Sequence, residues 1–273
     1  MGAGEDSSTP ERLTRALARV LGEGAVAALA TVISAPHSVG AKILFEDDGG
    51  ARAGTTGDAA FDEAIAGHAA AFLASRAEAR TLRVEEFAPA LEAWRGARVL
   101  FERVAPEPHV VVCGAGHVGA ALARLAQSIG YRVTLIDDRA EFVARARFPE
   151  EGIALVAASD WTGPVRETVG TGRGVAVAVV TRGHNEDEEC MRAVLAARPD
   201  YVGMIGSRRR TNIVLARLRE SGFAEDALRE VRAPIGLDLG AVTPEEVALA
   251  VLAEIVAHRR GGKGLPLSAW RRA

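Results

Sequence analysis

Apolar and polar positions follow two different rhythms along this chain. Over residues 10–22, Leu13, Ala16, Leu17, Val20 and Leu21 recur at helical spacing, and Pro10 stands at the start behind Ser8-Thr9. Two short β-like runs follow, at 27–33 and 41–45, with Ser34 to Gly40 as the loop between them. Glu46-Asp47-Asp48-Gly49-Gly50 reads as a turn, residues 61–76 as an Ala-rich helix, and 98–103 as one more strand. The pattern predicts a small α+β unit over residues 1–105, with Pro106-Glu107-Pro108 marking a linker.

Past the linker the rhythm changes. Continuous apolar runs at 110–113, 131–136, 153–156, 175–180 and 201–205 alternate with helical stretches, the first of them at about 118–129. Apolar strands without in–out alternation, separated by helices, predict a parallel sheet covered on both faces. The expected fold class is α/β, a Rossmann-like doubly wound sheet over residues 106–260. Thr243, Pro244 and Glu246 form a capping box opening a last helix. Val247 to Ala257 is apolar almost all round except Glu254, which predicts a buried helix. Residues 261–273 read as a loose tail.

Composition narrows the function classes. A chain of 273 residues, 48% hydrophobic and 25% charged, can bury a core without staples. The net charge of −3 speaks against a broad footprint on nucleic acid or anionic lipid. No apolar run reaches the ~20 residues of a membrane helix. The opening Gly4-Glu5-Asp6-Ser7-Ser8 lacks the basic-then-apolar order of a secretory signal, so a cytoplasmic protein is expected. Cys113 and Cys190 are too few for a disulfide scaffold. The only lysines are Lys42 and Lys263, a bias toward Arg that codon usage explains. Gly262-Lys263-Gly264 is no phosphate-binding P-loop, and neither Tyr131 nor Tyr201 has a lysine four residues on. The histidines and cysteines show no metal-ligand spacing, and no nucleophile elbow or acid–base set is visible, so neither a metal site nor a catalytic residue is expected.

The strongest motif is Gly114-Ala115-Gly116-His117-Val118-Gly119, between an apolar strand and a helix. Asp137-Asp138 follows at the next strand end, roughly 20 residues on, where a dinucleotide fold carries its ribose-binding acid. Backbone N–H groups at such a helix start attract phosphate; alternatively, the glycines serve only close helix–sheet packing. His117 is either a phosphate donor or a solvent-facing residue. Arg139 either meets a 2′-phosphate or pairs with an aspartate. After the fourth parallel strand come Thr181, Arg182, Gly183 and His184, the last a ligand candidate or a surface histidine; the acidic run Glu186 to Glu189 suits a helix start. After the fifth come Gly206, Ser207 and Arg208-Arg209-Arg210. Cations there oppose the helix dipole, which fits a bound anion or side chains reaching water. Pro234 to Gly240 is a turn or a wall of the same cleft.

Several stretches taken together resemble the XdhC/CoxI family, the xanthine dehydrogenase accessory proteins. They are Gly114-Ala115-Gly116-His117-Val118, Asp137-Asp138-Arg139, Arg147-Phe148-Pro149, Tyr201 through Arg209, Pro234-Ile235-Gly236-Leu237 and Thr243-Pro244-Glu245-Glu246. The resemblance implies a chaperone that binds molybdenum cofactor, as molybdopterin or its dinucleotide form. It further implies that the chaperone assists sulfuration with a cysteine desulfurase and delivers the cofactor to an apo molybdenum hydroxylase such as xanthine dehydrogenase or CO dehydrogenase. Cofactor-binding positions are then Gly114, Gly116, His117, Gly119, Asp137, Asp138, Arg139, Thr181, His184, Gly206, Ser207 and Arg208. The first unit is similar less closely: His37 stands where relatives have Arg, and Asp58-Ala59-Ala60 where they carry Gly-Gly-Cys. Arg182 stands where relatives often have His. The competing expectation is an NAD(P)-dependent oxidoreductase or a nucleotide-binding regulatory protein. A homodimer through the last helix and burial of that helix within one chain explain its composition equally well.

Overall fold

The fold is described from a computed structural model at residues 9–46, 52–75 and 77–268. The acidic opening, Asp47 to Gly50 of the turn, Arg76 and the last five residues of the tail lie outside the described residues. The chain divides into two compact units, Met1–Pro106 and Glu107–Ala273.

The first unit runs α1 (Thr9–Gly22), β1 (Ala27–Ser34), β2 (Lys42–Glu46), β3 (Arg52–Gly54), α2 (Ala59–Ala74), β4 (Ala79–Arg83), α3 (Val84–Phe87) and β5 (Arg98–Val104). Its five strands form one antiparallel sheet in the order β3-β2-β1-β5-β4. Successive residues of β1 face opposite sides. Ala28, Ala30 and Val32 pack with Phe61, Ile65 and Phe72 of α2, whereas Ala27 packs with Val20 of α1. The pattern does not announce β3 and β4. Each is an outermost strand, and in β4 only Leu82 is buried. Such strands are short and polar because a long apolar edge would invite pairing with another chain.

The second unit runs β6 (His109–Cys113), α4 (His117–Ser128), β7 (Arg132–Asp137), β8 (Ile153–Ala157), α5 (Thr162–Val169), β9 (Val175–Val179), α6 (His184–Ala197), β10 (Tyr201–Met204), α7 (Arg208–Glu220), α8 (Glu225–Glu230) and α9 (Pro244–Arg260). All five strands are parallel, in the order β10-β9-β6-β7-β8. Val110 and Val112 meet α4 and α9 on one face; Val111 and Cys113 meet α5, α6 and α7 on the other. This two-sided burial explains the unbroken apolar runs. Chain direction across the sheet reverses at β6, with β7 on one side and β9 on the other, so the crevice of a doubly wound fold opens beyond the end of β6.

α9 differs from the expectation of all-round burial. Ala248, Val251, Leu252 and Ile255 are buried, but Leu249 is half exposed. The helix lies in a single layer over the sheet, so only one stripe reaches the core. Its capping box is as expected, with Thr243 Oγ1 accepting from the Glu246 amide and the Glu246 carboxylate accepting from the Thr243 amide. Glu254 accepts from the Tyr201 hydroxyl (3.0 Å) and the Gly236 amide. With the Leu237 amide on Ala250 O (3.1 Å), this docks the Pro234–Gly240 connection on α9. Past the helix, Gly261 adopts the left-handed conformation and the Gly262 amide returns to Ala257 O (2.8 Å), closing a helix stop. Among the described residues no helix is long and apolar enough to cross a membrane.

Candidate phosphate site at the end of the parallel sheet

The three glycines of the loop after β6 do three different jobs. Gly114 has φ +114°, and a Cβ there would lie 2.6 Å from Val180 O, so glycine makes the tight turn. A Cβ on Gly119 would lie 1.8 Å from Gly114 O, so this glycine lets α4 start close against the strand. A Cβ on Gly116 would meet nothing within 4 Å, so no packing in this unit requires glycine there. Its extended conformation (φ −67°, ψ −170°) does not require glycine either. The bare backbone at Gly116 leaves room for a group to approach the start of α4.

No side chain caps α4 at Gly116. The first amides of a helix have no intrahelical acceptor. Here they face an open, glycine-lined position with the positive end of the helix dipole behind them. That is a donor set for a phosphate or another anion. His117 is exposed beside it as the first residue of α4.

The acidic pair behaves in two ways. Asp137 is 1% exposed, and both its oxygens are engaged. Oδ1 accepts from Arg139 N and Nε (both 2.9 Å); Oδ2 accepts from Ala115 N (2.6 Å) and Arg139 Nη2 (3.0 Å). Burial alone would raise this carboxyl. The Arg139 side chain and the Ala115 and Arg139 amides outweigh burial and hold it below the usual carboxylate range. Asp137 therefore fixes the glycine loop. Arg139 also lies 3.5 Å over the Phe142 ring. Asp138 is partly exposed and receives both guanidinium branches of Arg182, Nη1 to Oδ1 at 2.8 Å and Nη2 to Oδ2 at 2.9 Å.

The loops after β9 and β10 are tied below the surface. Thr181 donates to Asp187, which is fully buried, and Arg210 donates to the same carboxylate and to Thr181 O (3.4 Å). The three arginines at the start of α7 thus divide. Arg210 is spent within the fold, whereas Arg208 and Arg209 are exposed. Ser207 caps α7 through the Arg210 amide (3.2 Å), and Gly206, at φ +150°, makes the turn ahead of it. His184 is the first residue of α6. The sheet therefore brings all twelve proposed site positions to its carboxyl edge.

The motif reading missed Asp187, which it placed in a helix-start acidic run. A signal was present: Asp187 shares the helical phase of Cys190, Met191 and Val194, all fully buried. Cys113 and Cys190 are also buried and free. Burial, and then the neighbouring Cys113, push the Cys190 thiol up, so these are packing residues. Among the described residues no group of three or more His, Cys, Asp or Glu could hold a metal ion.

In the first unit, Asp58 stands where the resemblance places a different motif. Its Oδ1 caps α2 through the Ala60 (2.9 Å) and Phe61 (3.1 Å) amides, and Oδ2 accepts from Trp94 Nε1 (2.9 Å). His37 stacks on Trp94 with ring centroids 4.4 Å apart. Just behind, buried Asp62 accepts from Thr55 Oγ1 (2.6 Å) and from the Thr56 amide (2.8 Å) and hydroxyl (2.6 Å). This segment is a closed cap with its polar groups satisfied.

Strand order and glycine geometry together define a doubly wound α/β protein, with an uncapped helix start at the carboxyl end of its parallel sheet. The family model described as XdhC Rossmann domain matches residues 110–255, and the one described as XdhC and CoxI family matches residues 20–85. The chain belongs to the XdhC and CoxI family. It is 32% identical over 157 residues to the uncharacterized protein YqeB of Escherichia coli, covering 58% of this chain and 28% of that one. It is 27% identical over 162 residues to a probable xanthine dehydrogenase subunit of Bacillus subtilis, covering 59% and 46%. It is 32% identical over 84 residues to the molybdenum cofactor insertion chaperone PaoD of Escherichia coli, covering 31% and 26%. The matched part thus spans less than half the length of each of these relatives. A crystal structure of a xanthine dehydrogenase from Bacillus halodurans aligns over 97% of this chain and 99% of that one, with TM-score 0.49 and 16% identity.

Proposed function

We propose that this chain is an accessory protein of a molybdenum hydroxylase, and that it holds the molybdenum cofactor by its phosphate on the glycine loop. The observation that carries this reading is the bare backbone at Gly116 before an uncapped helix start. Membership of the family and the relative named as a molybdenum cofactor insertion chaperone support the molybdenum cofactor as the phosphate's owner. Molybdopterin carries a phosphate and its dinucleotide form a pyrophosphate; either suits amides of Gly116, His117 and Val118, with Arg208 as a further cation.

In this reading the chain takes up the cofactor in the cytoplasm, presents it to a cysteine desulfurase for sulfuration, and delivers it to an apo hydroxylase such as xanthine dehydrogenase or CO dehydrogenase. A homodimer through the exposed side of α9 around Leu249 fits the same role. The chain acts by binding and handing over. The closed cap at Asp58 offers no thiol, so any sulfur transfer relies on the partner. NAD(P) chemistry fits less well, because the carboxylate placed to receive a ribose diol, Asp137, has both oxygens taken.

The test is to purify the chain anaerobically from a host that makes molybdenum cofactor, denature it, and identify released small molecules by mass spectrometry with molybdenum measured in parallel. A stoichiometric phosphorylated pterin is the expected result. Bound NAD or NADP without pterin would overturn the reading.

A further inference from the structure

We propose that Arg182 selects a phosphate-bearing ligand at the glycine loop, and that Asp138 holds this arginine in place until the ligand displaces it. The inference rests on the reading of the glycine loop given above and adds to it a selecting residue. β7 and β9 are the two neighbours of β6, so an ion pair between residues that follow them spans the end of β6, where Gly114–Gly116 turns. The Asp138–Arg182 pair is that span, bidentate at 2.8 and 2.9 Å. A ligand phosphate seated at Gly116 arrives beside it.

The surrounding cations differ in how firmly they are held. Arg139 is fixed on buried Asp137 and on the Phe142 ring. Arg210 is fixed on buried Asp187. Among the described residues the direct ion pairs of Arg182 are to partly exposed groups: Asp138, with its side chain 30% exposed, and Glu186 at 3.5 Å, 32% exposed. Ion pairs that face water contribute little net stability, because the released carboxylate is rehydrated. A phosphate offers the same two-point geometry as a carboxylate and carries more charge. Exchange of Arg182 from Asp138 to a phosphate is therefore favourable, while exchange toward an uncharged ribose diol is not.

The test uses the full chain and pyrophosphate as probe, with calorimetric titration at low salt. Asp138→Asn removes the competing carboxylate and should tighten pyrophosphate several-fold. Arg182→Gln should weaken it by roughly tenfold, the loss of one charge-assisted bidentate contact. In the double variant the gain from Asp138→Asn should shrink markedly, because release of Arg182 is the larger part of it; the remainder is loss of the carboxylate's own repulsion and of its approach to Arg139 (3.8 Å). Adenosine, which carries the diol without phosphate, should show no response to either change. Thermal melts of both variants should match the parent, showing that folding is intact. Equal pyrophosphate affinity in the parent and Arg182→Gln would overturn the proposal, as would a tightening by Asp138→Asn that survives undiminished in the double variant. If Gly116→Asp abolishes binding while both changes at the ion pair are silent, the glycine-loop reading stands and the role of Arg182 falls. If neither the parent nor Asp138→Asn binds pyrophosphate, the Arg182 proposal is refuted, and the co-purification experiment judges the glycine loop separately.

Discussion

At the amino edge of the parallel sheet, Arg132, His109 and Thr134 close on one another. Arg132 Nη2 donates to His109 Nδ1 (3.2 Å), because a guanidinium can only donate, and Nε2–H then donates to Thr134 Oγ1 (2.9 Å). His109 is 3% exposed. Burial, and after it the charge of Arg132, hold its imidazole down at a pKa of about 4. At the carboxyl edge the same strands end on a helix start without a cap, a glycine with open space at its Cβ, and an exposed ion pair. Both edges hold arginines beside titratable groups, but the uncapped start of α4 lies at the carboxyl edge. A charged or polar residue at a strand end is thus no sign of a site by itself. The sign is a donor set that the fold leaves open where the sheet topology makes a crevice.

The sharpest way to break this comparison lies within the glycine loop itself. Gly119→Ala drives a Cβ into Gly114 O and should destabilise the fold by about 3 kcal/mol or more, the upper range of overpacking. Urea unfolding reads it directly, and an unchanged midpoint would remove the close helix–strand approach from the account.

The amino edge gives a similar magnitude by a different route. The folded pKa of His109 lies below the ordinary histidine value of 6.5, so the folded state disfavours its proton. Its contribution to stability is fully present above pH 6.5 and is lost as pH falls from 6.5 toward 4. The loss should approach about 3 kcal/mol from this one group. His68, whose imidazole is lowered by burial and then by Arg80, adds in the same direction. Unfolding measured across that window in the parent and in His109→Gln separates them. The variant should show a clearly shallower fall, and an equal slope would assign the effect elsewhere.

Asp137→Asn sharpens the contrast between the two aspartates. It removes a buried charge that receives four hydrogen bonds, and should cost about 2 kcal/mol. The same change at exposed Asp138 should alter stability by less than about 0.5 kcal/mol. Paired denaturation curves check this; equal costs would mean that Asp138 is as structural as its neighbour. The smallest expected effect on stability is at Gly116. Gly116→Ala should leave the unfolding midpoint within about 0.5 kcal/mol of the parent, because nothing stands within 4 Å of the new Cβ.

Much of the second unit was legible in the sequence. Strands buried on both faces write themselves as continuous apolar runs, and the glycine fingerprint is a local backbone requirement that spacing alone reveals. The edge strands β3 and β4 were not legible, since a three-residue strand and one with a single buried residue carry no periodicity. The residues at the carboxyl edge of the sheet were legible as positions but not as partnerships. Nothing in Asp137-Asp138-Arg139 says that the first aspartate also takes the Ala115 amide while the second reaches Arg182. The Asp137–Arg139 pairing is local and stood as one of two readings of Arg139, but the Ala115–Asp137 and Arg182–Asp138 contacts are tertiary, set by strand order. Glu254 stood out in the pattern as the break in an otherwise apolar helix, but its partners, the Tyr201 hydroxyl and the Gly236 amide, appear only in the fold.

The central claim is that the open backbone at Gly116 receives the phosphate of a molybdenum cofactor. The most direct test is an anaerobic titration of the purified chain with molybdopterin, run beside Gly116→Asp. That variant places a carboxylate where the phosphate would sit, in space that the fold leaves empty. Saturable binding by the parent, lost in a variant that melts at the parent's temperature, is the predicted result. Equal binding by both proteins would contradict the account.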